Sequence, residues 1–441
     1  MTEVVNDAQS REPRFAFIKG GDDVPLTSGG TSLDWKASAN SVRDQLAEAM
    51  NARNVAFLFG SGCSSFVRGG IEHGISTMQP MAKAYLDTIG DPASKSHVTQ
   101  AERDILLNRF GVNVADTAYT QSLEKLMEIL FSAEYLLRAA PTDELKEIHL
   151  AVTNIIQKVI IHIVGQCTKG RFSSGVNSVL NIYQLFFRKL LFRDRTLPRP
   201  WIFSANYDLL CERAMDRLGI PSCNGFSGIV ERRFNPSTFR YSLAEQLDIS
   251  SRKWSAVDSF VYLCKLHGSV NWIEDRQGLF PFRELQEAPP ADQSRIMIYP
   301  TPAKQNASFG SPYSDLFREF QSRIVREQSV LFVLGYGFGD EHINNVIFQA
   351  LTIPSFRVVV FARPDADGVL KQLRDLRDPR VWIIGGDGET TETKAHYFDS
   401  FVQHFMPEPS GDKINTAVAK VLENLLTKGT VDPPGSAPDV D

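Results

Sequence analysis

At residues 57–64 the chain reads Phe-Leu-Phe-Gly-Ser-Gly-Cys-Ser, an apolar run that passes directly into a turn of small residues. Apolar residues at steps of four predict a helix over Ser41–Ala52, which feeds a strand over Val55–Phe59. Small residues after such a strand let backbone N–H groups approach a phosphate closely. The stretch therefore favours a nucleotide-binding α/β fold. It does not complete the Gly-x-Gly-x-x-Gly fingerprint of dehydrogenases, because position 65 is Ser65.

The second half of the chain alternates short apolar runs with helical stretches. The predicted strands are Trp201–Ser204, Phe260–Leu266, Ile296–Tyr299, Val330–Leu334, Val358–Phe361 and Val381–Ile384. Glu341–Leu351 and Gly368–Leu376 are predicted as helices between them. Continuous apolar runs are typical of strands buried on both faces, and this alternation predicts a Rossmann-like, doubly wound parallel sheet in an α/β protein.

Helical spacing dominates from about Met78 to Phe192 and predicts a large helical insertion. The expected domains are a flexible arm at 1–35, the sheet domain at 36–77 and 196–405, the insertion at 78–195, and a C-terminal helix with a disordered tail at 406–441. The Arg-rich stretch Gly225–Leu247 is interpreted as irregular. Within the insertion, Ile155–Val164 is apolar almost all round, which suits burial between subunits or deep in a core.

Composition is that of an ordinary globular protein. The 441 residues are 43% hydrophobic and 22% charged, and the net charge of −5 gives no general attraction to nucleic acid. We find no run of about 18 apolar residues and no cationic-then-apolar leader, so a membrane span or secretion is not expected. The five cysteines form no Cys-x-x-Cys pair, which argues against a zinc ribbon and favours reduced core thiols in a cytoplasmic protein.

The predicted strand at Trp201 ends in Ser204-Ala205-Asn206-Tyr207-Asp208. Ligands of doubly wound sheets bind where strands end, so these polar residues are candidates for a site. Asn206 can orient a water or an amide without titrating. Asp208 can accept from ribose hydroxyls or cap the helix over Leu209–Leu218.

His267 follows another predicted strand and precedes Gly268. A histidine that leaves a buried strand into a tight turn is well placed to act as a general base at neutral pH. By contrast, His162 lies in an apolar helical run and is interpreted as a packed core residue. His73 is left unassigned.

A further glycine-rich turn, Gly335–His342, follows the strand at Val330. Its glycines permit close backbone approach, and Asp340 is expected to cap the next helix. Asn344 lies one turn inside that helix and is expected to face the ligand. Gly385–Gly388 ends the last strand and is a candidate border of an adenine site, or an ordinary loop.

Three motifs in this order resemble the sirtuin family: the small-residue turn at Gly60, the Asn-x-Asp segment at Asn206 and the His-Gly pair at His267. The resemblance covers about residues 40–77 and 196–405, and it implies a sirtuin-like Rossmann fold that uses NAD. It implies that Asn206 and His267 are catalytic. The residues that it assigns to NAD binding are Gly60, Ser61, Gly62, Ser64, Ser204, Asp208, Gly335, Gly337, Asp340 and Asn344.

The chain departs from histone-deacetylating sirtuins, because it lacks the zinc ribbon and carries over 100 helical residues before Asn206. It looks like the bacterial sirtuin-like domain of phage defence. That version implies hydrolysis of NAD to nicotinamide and ADP-ribose without zinc, in a homo-oligomer controlled by a HerA-type ATPase or similar partner. A protein deacylase and a non-catalytic NAD-binding assembly subunit remain as alternatives. No clustered acidic set suggests a nuclease, and any contact with nucleic acid is expected to be indirect.

Overall fold

A computed structural model of the chain describes residues 15–26, 28–29, 32–120, 123–139, 142–168, 174–194, 196–248, 253–275, 282–289, 295–297, 312–390 and 392–408. The strands of these segments are β1 (Ala16–Lys19), β2 (Asp22–Asp23), β3 (Ser28–Gly29), β4 (Ser32–Leu33), β5 (Asn54–Phe59), β6 (Ser65–Arg68), β7 (Ile71–Gly74), β8 (Trp201–Ser204), β9 (Ser222–Cys223), β10 (Phe226–Ser227), β11 (Arg232–Phe234), β12 (Ala244–Asp248), β13 (Lys253–Ala256), β14 (Val261–Lys265), β15 (Gly268–Glu274), β16 (Phe282–Glu284), β17 (Arg295–Met297), β18 (Ser329–Leu334), β19 (Arg357–Phe361) and β20 (Val381–Gly385). The helices are α1 (Trp35–Met50), α2 (Met78–Thr88), α3 (Gln100–Phe110), α4 (Leu123–Leu137), α5 (Asp143–Thr168), α6 (Ser174–Leu190), α7 (Leu210–Leu218), α8 (Tyr313–Ile324), α9 (Glu341–Ala350), α10 (Val369–Asp375) and α11 (Phe398–Ser400), the last continuing into a π-helical turn over Phe401–Phe405.

A large sheet has the order β2-β1-β20-β19-β18-β5-β8-β14-β9. The pairings from β20 to β9 are parallel, whereas β1 runs antiparallel to β20 and β2. From β5 the chain proceeds outward to β8 and β14, and then returns to the other side of β5 to form β18, β19 and β20. This is the doubly wound order, and its direction reverses between β5 and β18. A ligand crevice is expected there, outside the carboxyl ends of these two strands.

Both faces of the sheet are covered. Along β5, Val55, Phe57 and Phe59 contribute to one hydrophobic cluster, whereas Ala56 and Leu58 contribute to the other. The first cluster includes buried side chains of α1 to α7, and the second includes those of α8, α9 and α10. Side chains that alternate between two buried faces explain why these strands are continuous apolar runs in the sequence.

The predicted central strands are confirmed within one or two residues at each end. Trp201–Ser204 is correct at both ends, and β18, β19 and β20 contain the predicted apolar runs. The prediction Ile296–Tyr299 overlaps β17, and its last two residues lie outside the described part of the chain. The first helix begins at Trp35 rather than Ser41, because Asp34 caps it by accepting from the N–H of Ala37 at 3.0 Å.

Helices α2 to α6 follow one another between β7 and β8. They share the hydrophobic cluster of the sheet: the ring of Phe186 in α6 lies 5.1 Å from that of Phe57 and 5.2 Å from that of Phe59. Their separation as an insertion domain stays a prediction. Among the described helices, α5 alone has the length and hydropathy of a membrane span, and ten of its residues, including Ile155 and Val159, are buried inside the protein.

Two expectations at the sheet margins are wrong. Part of the supposed flexible arm is structured, because β1 pairs with β20 and buries Phe15, Phe17 and Ile18. The Arg-rich stretch is not irregular, since it supplies β10 and β11 to a second, five-stranded sheet in the order β10-β11-β16-β15-β17. These strands have two to seven residues, and most are too short to show a period in the sequence. Residues 1–14 and 409–441, including the expected tail, lie outside the described residues.

Candidate active site

The turn after β5 is a single 3₁₀ turn, Ser61–Cys63, followed by the hairpin β6–β7 instead of an α-helix. The N–H groups of Gly60 and Gly62 donate to the carbonyl oxygens of Leu334 and Gly335, both at 2.9 Å. Those of Cys63 and Ser64 donate within the turn at 3.0 Å. The expected cradle of free amides at a helix N-terminus is therefore not the arrangement that the structure shows here.

The glycines of this turn serve instead to bring two loops together. A Cβ atom on Gly60 would collide with the carbonyl oxygen of Gly335, and one on Gly335 would meet the backbone of Gly62 and Cys63. Gly335 also has φ +59°, a conformation that side chains disfavour. The turns after β5 and β18 thus pack backbone against backbone at the point where the winding of the sheet reverses.

Asn206 lies at the end of β8 and is buried, with 8% of its surface exposed. Its Nδ2 donates to the carbonyl oxygen of Gly60 at 2.9 Å and to Ser64 Oγ at 3.0 Å. A carbonyl oxygen only accepts, so this contact fixes which side of the amide carries nitrogen. No hydrogen bond among the described residues uses Asn206 Oδ1, which leaves an oriented acceptor beside the cavity that Asn206 lines.

The two polar neighbours of Asn206 hold the loop in place. Ser64 Oγ donates to Asp208 Oδ2 at 2.6 Å, and the N–H of Leu210 donates to Asp208 Oδ1 at 2.9 Å. Ser204 Oγ accepts from the N–H of Asn206 at 3.1 Å. Asp208 thus accepts from the first residue of α7, although the N-cap position itself belongs to Leu209, and both of its carboxylate oxygens are hydrogen-bonded inside the protein.

Lys265 is a residue of the site that sequence reasoning missed. Only 2% of it is exposed, and its ammonium donates to the carbonyl oxygens of Tyr207 and Asp208. It also donates to Ser269 Oγ at 2.7 Å and lies 3.1 Å from Glu212 Oε1. Burial raises the pKa of Glu212, and the charge of Lys265 opposes that rise. A lysine at the end of an apolar strand was the available signal, because lysine is almost never buried without partners.

His267 follows β14 and lines the same cavity as Asn206. Its Nε2 lies 3.0 Å from Asp340 Oδ2, and the two side chains are 11% and 7% exposed. Asp340 caps α9 as predicted, since its Oδ1 accepts from the N–H groups of His342 and Ile343 at 2.9 and 3.2 Å. The structure therefore places Asp340 against the predicted base, whereas the resemblance had assigned it to NAD binding.

Two adjoining cavities occupy the crevice. The inner cavity, of about 200 Å³, contains Asn206 and His267, and the outer cavity, of about 650 Å³, extends past Gly335 toward β19. They share Ser61, Tyr336 and Gly337. Other residues lining the outer cavity are Gly62, Glu72, Phe361, Arg363, Asp367 and His396. Together they form an elongated cleft with a small polar end and a larger open end.

The helices contribute an apolar wall to the inner cavity. Met78 and Met81 of α2 line it, as do Ile163 and Cys167 of α5. Burial raises the pKa of the Cys167 thiol to about 12, so this cysteine is a neutral, apolar wall residue. The chain between β7 and β8 thus closes one side of the site.

Asn344 and Ser204 do not line either cavity among the described residues. Asn344 Nδ2 donates to the carbonyl oxygen of Phe338 at 2.9 Å, and its Oδ1 accepts from Tyr336 at 3.2 Å. The amide of Asn344 thus braces the loop, and a contact between Asn344 and a ligand stays a prediction. Phe338 in this loop has φ +57°, an uncommon conformation for a bulky residue.

The other histidines have separate settings. His162 Nε2 lies 3.1 Å from the carbonyl oxygen of Met81, in agreement with a packed core residue. His73 lies in β7 and stacks on Phe66 at 5.4 Å between ring centroids. Gly386 donates through its N–H to His396 Nδ1 at 3.4 Å, which brings the end of β20 near the outer cavity.

Metal ligands do not gather in the described part of the chain: no group of three histidine, cysteine or acidic side chains could hold a metal ion there. All five cysteines are free. Burial raises the pKa of Cys63, Cys211 and Cys264 well above the usual thiol value. These cysteines therefore behave as dispersed core residues.

Fold and site together define a Rossmann-like α/β protein with its ligand cleft at the switch point of the sheet. Residues 200–378 match the family model of the SIR2-like domain, which includes Asn206, His267 and Asp340. Proteins with this domain are NAD-dependent enzymes, so the match supports a sirtuin-like protein with an NAD-related function. The turn at Gly60 lies outside the matched residues. No curated protein matches the chain.

Proposed function

We propose that this protein hydrolyses NAD to nicotinamide and ADP-ribose. The observation that carries the proposal is the inner cavity, in which the free Oδ1 of Asn206 and the imidazole of His267 line one small space. The SIR2-like match supports NAD as the substrate. The elongated cleft offers the outer cavity for the adenosine half and the inner cavity for the nicotinamide-ribose half.

The glycosidic bond of NAD breaks through an oxocarbenium-like state, because nicotinamide leaves with the bonding electrons. Asn206 Oδ1 orients the attacking water or a ribose hydroxyl, and His267 accepts the proton. Ser61, Tyr336 and Gly337 lie where the two cavities meet and face the middle of the dinucleotide. The wall of Met78, Met81 and Ile163 limits the entry of bulk water, so that polar groups in the cavity act more strongly.

The same wall favours hydrolysis over protein deacylation. A deacylase needs a groove that admits an acyl-lysine side chain beside the ribose. Here side chains of α2 and α5 line the inner cavity, and its volume of about 200 Å³ suits nicotinamide and a water better than a peptide. Deacylation remains the second candidate, since it uses the same Asn-His pair.

Incubation with NAD tests the proposal directly. We expect stoichiometric nicotinamide and ADP-ribose, and we expect Asn206→Ala and His267→Ala to lower kcat by about 100-fold or more while the protein stays folded. Mass spectrometry in the presence of an acetylated peptide separates the two reactions, because a deacylase produces O-acetyl-ADP-ribose. Near-normal turnover in both folded variants contradicts the assignment. Binding of NAD without turnover favours a non-catalytic subunit.

The cellular role that we propose is depletion of NAD in bacterial phage defence. An unregulated NAD hydrolase in the cytoplasm harms its own cell, so we propose control by a HerA-type ATPase or similar partner and assembly into a homo-oligomer. The resemblance of the motifs to phage-defence sirtuins supports this role. Assays with and without the product of a neighbouring gene test it, and full activity of the chain alone contradicts the idea of a partner-dependent brake.

A further inference from the structure

The pair formed by His267 and Asp340 joins the two halves of the sheet across its switch point. His267 Nε2 and Asp340 Oδ2 are 3.0 Å apart, and both side chains are almost fully buried. An ionised carboxylate only accepts hydrogen bonds, so the proton of a neutral imidazole in this contact lies on Nε2. Within the described residues no hydrogen bond uses Nδ1 of His267. The unprotonated Nδ1 is therefore the nitrogen available to the inner cavity.

Asp340 is itself held rigidly. Its Oδ1 accepts from the N–H groups of His342 and Ile343, at the positive end of α9, which favours a negative charge on the carboxylate. The hydroxyl of Tyr336 accepts from the N–H of Asp340 at 3.2 Å. The carboxylate thus presents Oδ2 to His267 in one orientation.

We infer that Asp340 is a positioning residue that makes His267 an effective base. It holds the imidazole as the Nε2–H form and stabilises the imidazolium that forms in the reaction. This inference rests on the proposed hydrolysis. In that reaction the bond between C1′ and nicotinamide breaks, and both electrons go to the nicotinamide nitrogen. The oxygen of water bonds to C1′, and the proton of the water goes to Nδ1 of His267. A carboxylate that orients a histidine base in this way is a general device of hydrolytic sites.

The variant that tests this role is Asp340→Asn. Asparagine is as good a helix cap as aspartate, so Oδ1 can still accept from the two amides of α9, whereas the new amide nitrogen cannot accept from Nε2–H. We expect kcat to fall by about 100-fold or more with KM nearly unchanged. We also expect the acid limb of the kcat/KM profile to move to lower pH, because the imidazolium loses its carboxylate partner.

Asp34→Asn is the matched control, because Asp34 caps α1 by the same kind of contact and does not line either cavity. We expect it to leave kcat and the pH profile unchanged. If Asp340→Asn and Asp34→Asn lower kcat equally and neither shifts the pH profile, the loss comes from helix stability alone. That result overturns the inference. A kcat within threefold of wild type for Asp340→Asn also overturns it.

A second readout does not depend on turnover. In protein labelled with ¹⁵N-histidine, the His267 signals are identified by their loss in His267→Gln. We expect the proton on Nε2 in the wild type and a change of tautomer in Asp340→Asn. An Nδ1–H form in the wild type overturns the inference. If the wild type does not hydrolyse NAD, the proposed function fails, and the tautomer measurement still decides whether Asp340 sets the form of His267.

Discussion

His396 shows how one side chain carries a pH dependence that its sequence context does not reveal. It lines the outer cavity, and burial lowers its pKa to about 4, with Lys394 and Arg363 adding to the effect. The imidazole is therefore neutral at physiological pH and offers a hydrogen bond without a charge. Its Nδ1 already accepts from the N–H of Gly386.

This burial predicts a loss of stability in mild acid. The unfolded chain binds a proton at His396 near pH 6.5 and the folded chain only near pH 4, so unfolding takes up a proton between these values. The stability that the neutral His396 contributes is fully present above pH 6.5 and is lost as the pH falls toward 4. We expect about 2 kcal/mol less unfolding free energy from this group at pH 5 than at pH 7.5. In urea titrations, the unfolding free energy of His396→Asn should change less between pH 7.5 and pH 5 than that of the wild type. Asparagine keeps an acceptor near the position of Nδ1. An unchanged difference contradicts the assignment.

At the scale of elements, the site is built from turns that follow parallel strands. The turns after β5 and β18 touch through glycines, and the loop after β8 is tied to Lys265 at the end of β14. Asn206 thus receives its position from three different strands. A change in any of these contacts is expected to move the amide while leaving the sheet in place.

Gly60→Ala tests the contact between the two glycine turns. The new Cβ would collide with the carbonyl oxygen of Gly335, and backbone atoms cannot move aside cheaply. We expect a loss of about 2 kcal/mol or more of unfolding free energy in denaturant titrations. Gly339→Ala is the matched control, because a Cβ there meets nothing within 4 Å. We expect that variant to remain within about 0.5 kcal/mol of wild type. Equal stability of the two variants contradicts the packing role.

Lys265→Met tests the support under the Asn206 loop. Methionine fills the space but leaves Glu212 and two carbonyl oxygens without their ammonium, and breaking such a buried pair costs about 3 kcal/mol or more. We expect lower stability and lower kcat for NAD hydrolysis. Adding Glu212→Gln removes the uncompensated carboxylate and should restore part of the stability without restoring kcat. Full recovery of both in the double variant contradicts a positioning role for Lys265.

At the scale of the whole molecule, the structure changes the argument for self-assembly. The apolar stretch Ile155–Val164 is largely packed inside the chain, so its composition does not require a partner. Among the described residues of α2 to α6, the most exposed apolar side chains are Tyr135 and Leu136 of α4 and Leu150 of α5, between 61% and 76% exposed. Helical packing thus completes the core of one chain and leaves an apolar surface outside it.

We propose that this helical surface carries the homo-oligomer. Light scattering at micromolar concentration should give a multiple of 49.3 kDa. Leu136→Asp should lower the mass, because a charge in an apolar interface is costly. Ile229→Asp is the matched control, since Ile229 is a fully exposed apolar residue on the hairpin between β10 and β11. A wild-type monomer of 49.3 kDa contradicts the proposal, and equal effects of both variants argue against this surface.

The sequence alone determined the class of the protein and the position of its main elements. Continuous apolar runs such as Val55–Phe59 and Val330–Leu334 predicted buried parallel strands, because both faces of each strand must be apolar. The same pattern placed Asn206 and His267 at strand ends, where parallel strands gather their ligands. These are local signals, and they are present in a few consecutive residues.

Only the tertiary structure decided which of these residues meet. The contact between His267 and Asp340 joins positions 73 residues apart, and that between Lys265 and Asp208 joins positions 57 apart. The sequence places Asn344 one turn inside α9. It does not show that the amide of Asn344 is hydrogen-bonded to Phe338 and Tyr336. β1 was missed because it has only four residues and gains its stability from pairing with β20. In that pairing Phe17 lies opposite Ile384, which is 367 residues further along the chain. Hydrogen bonds and packing between residues so far apart leave no periodic pattern in the sequence. Only the tertiary structure therefore shows them.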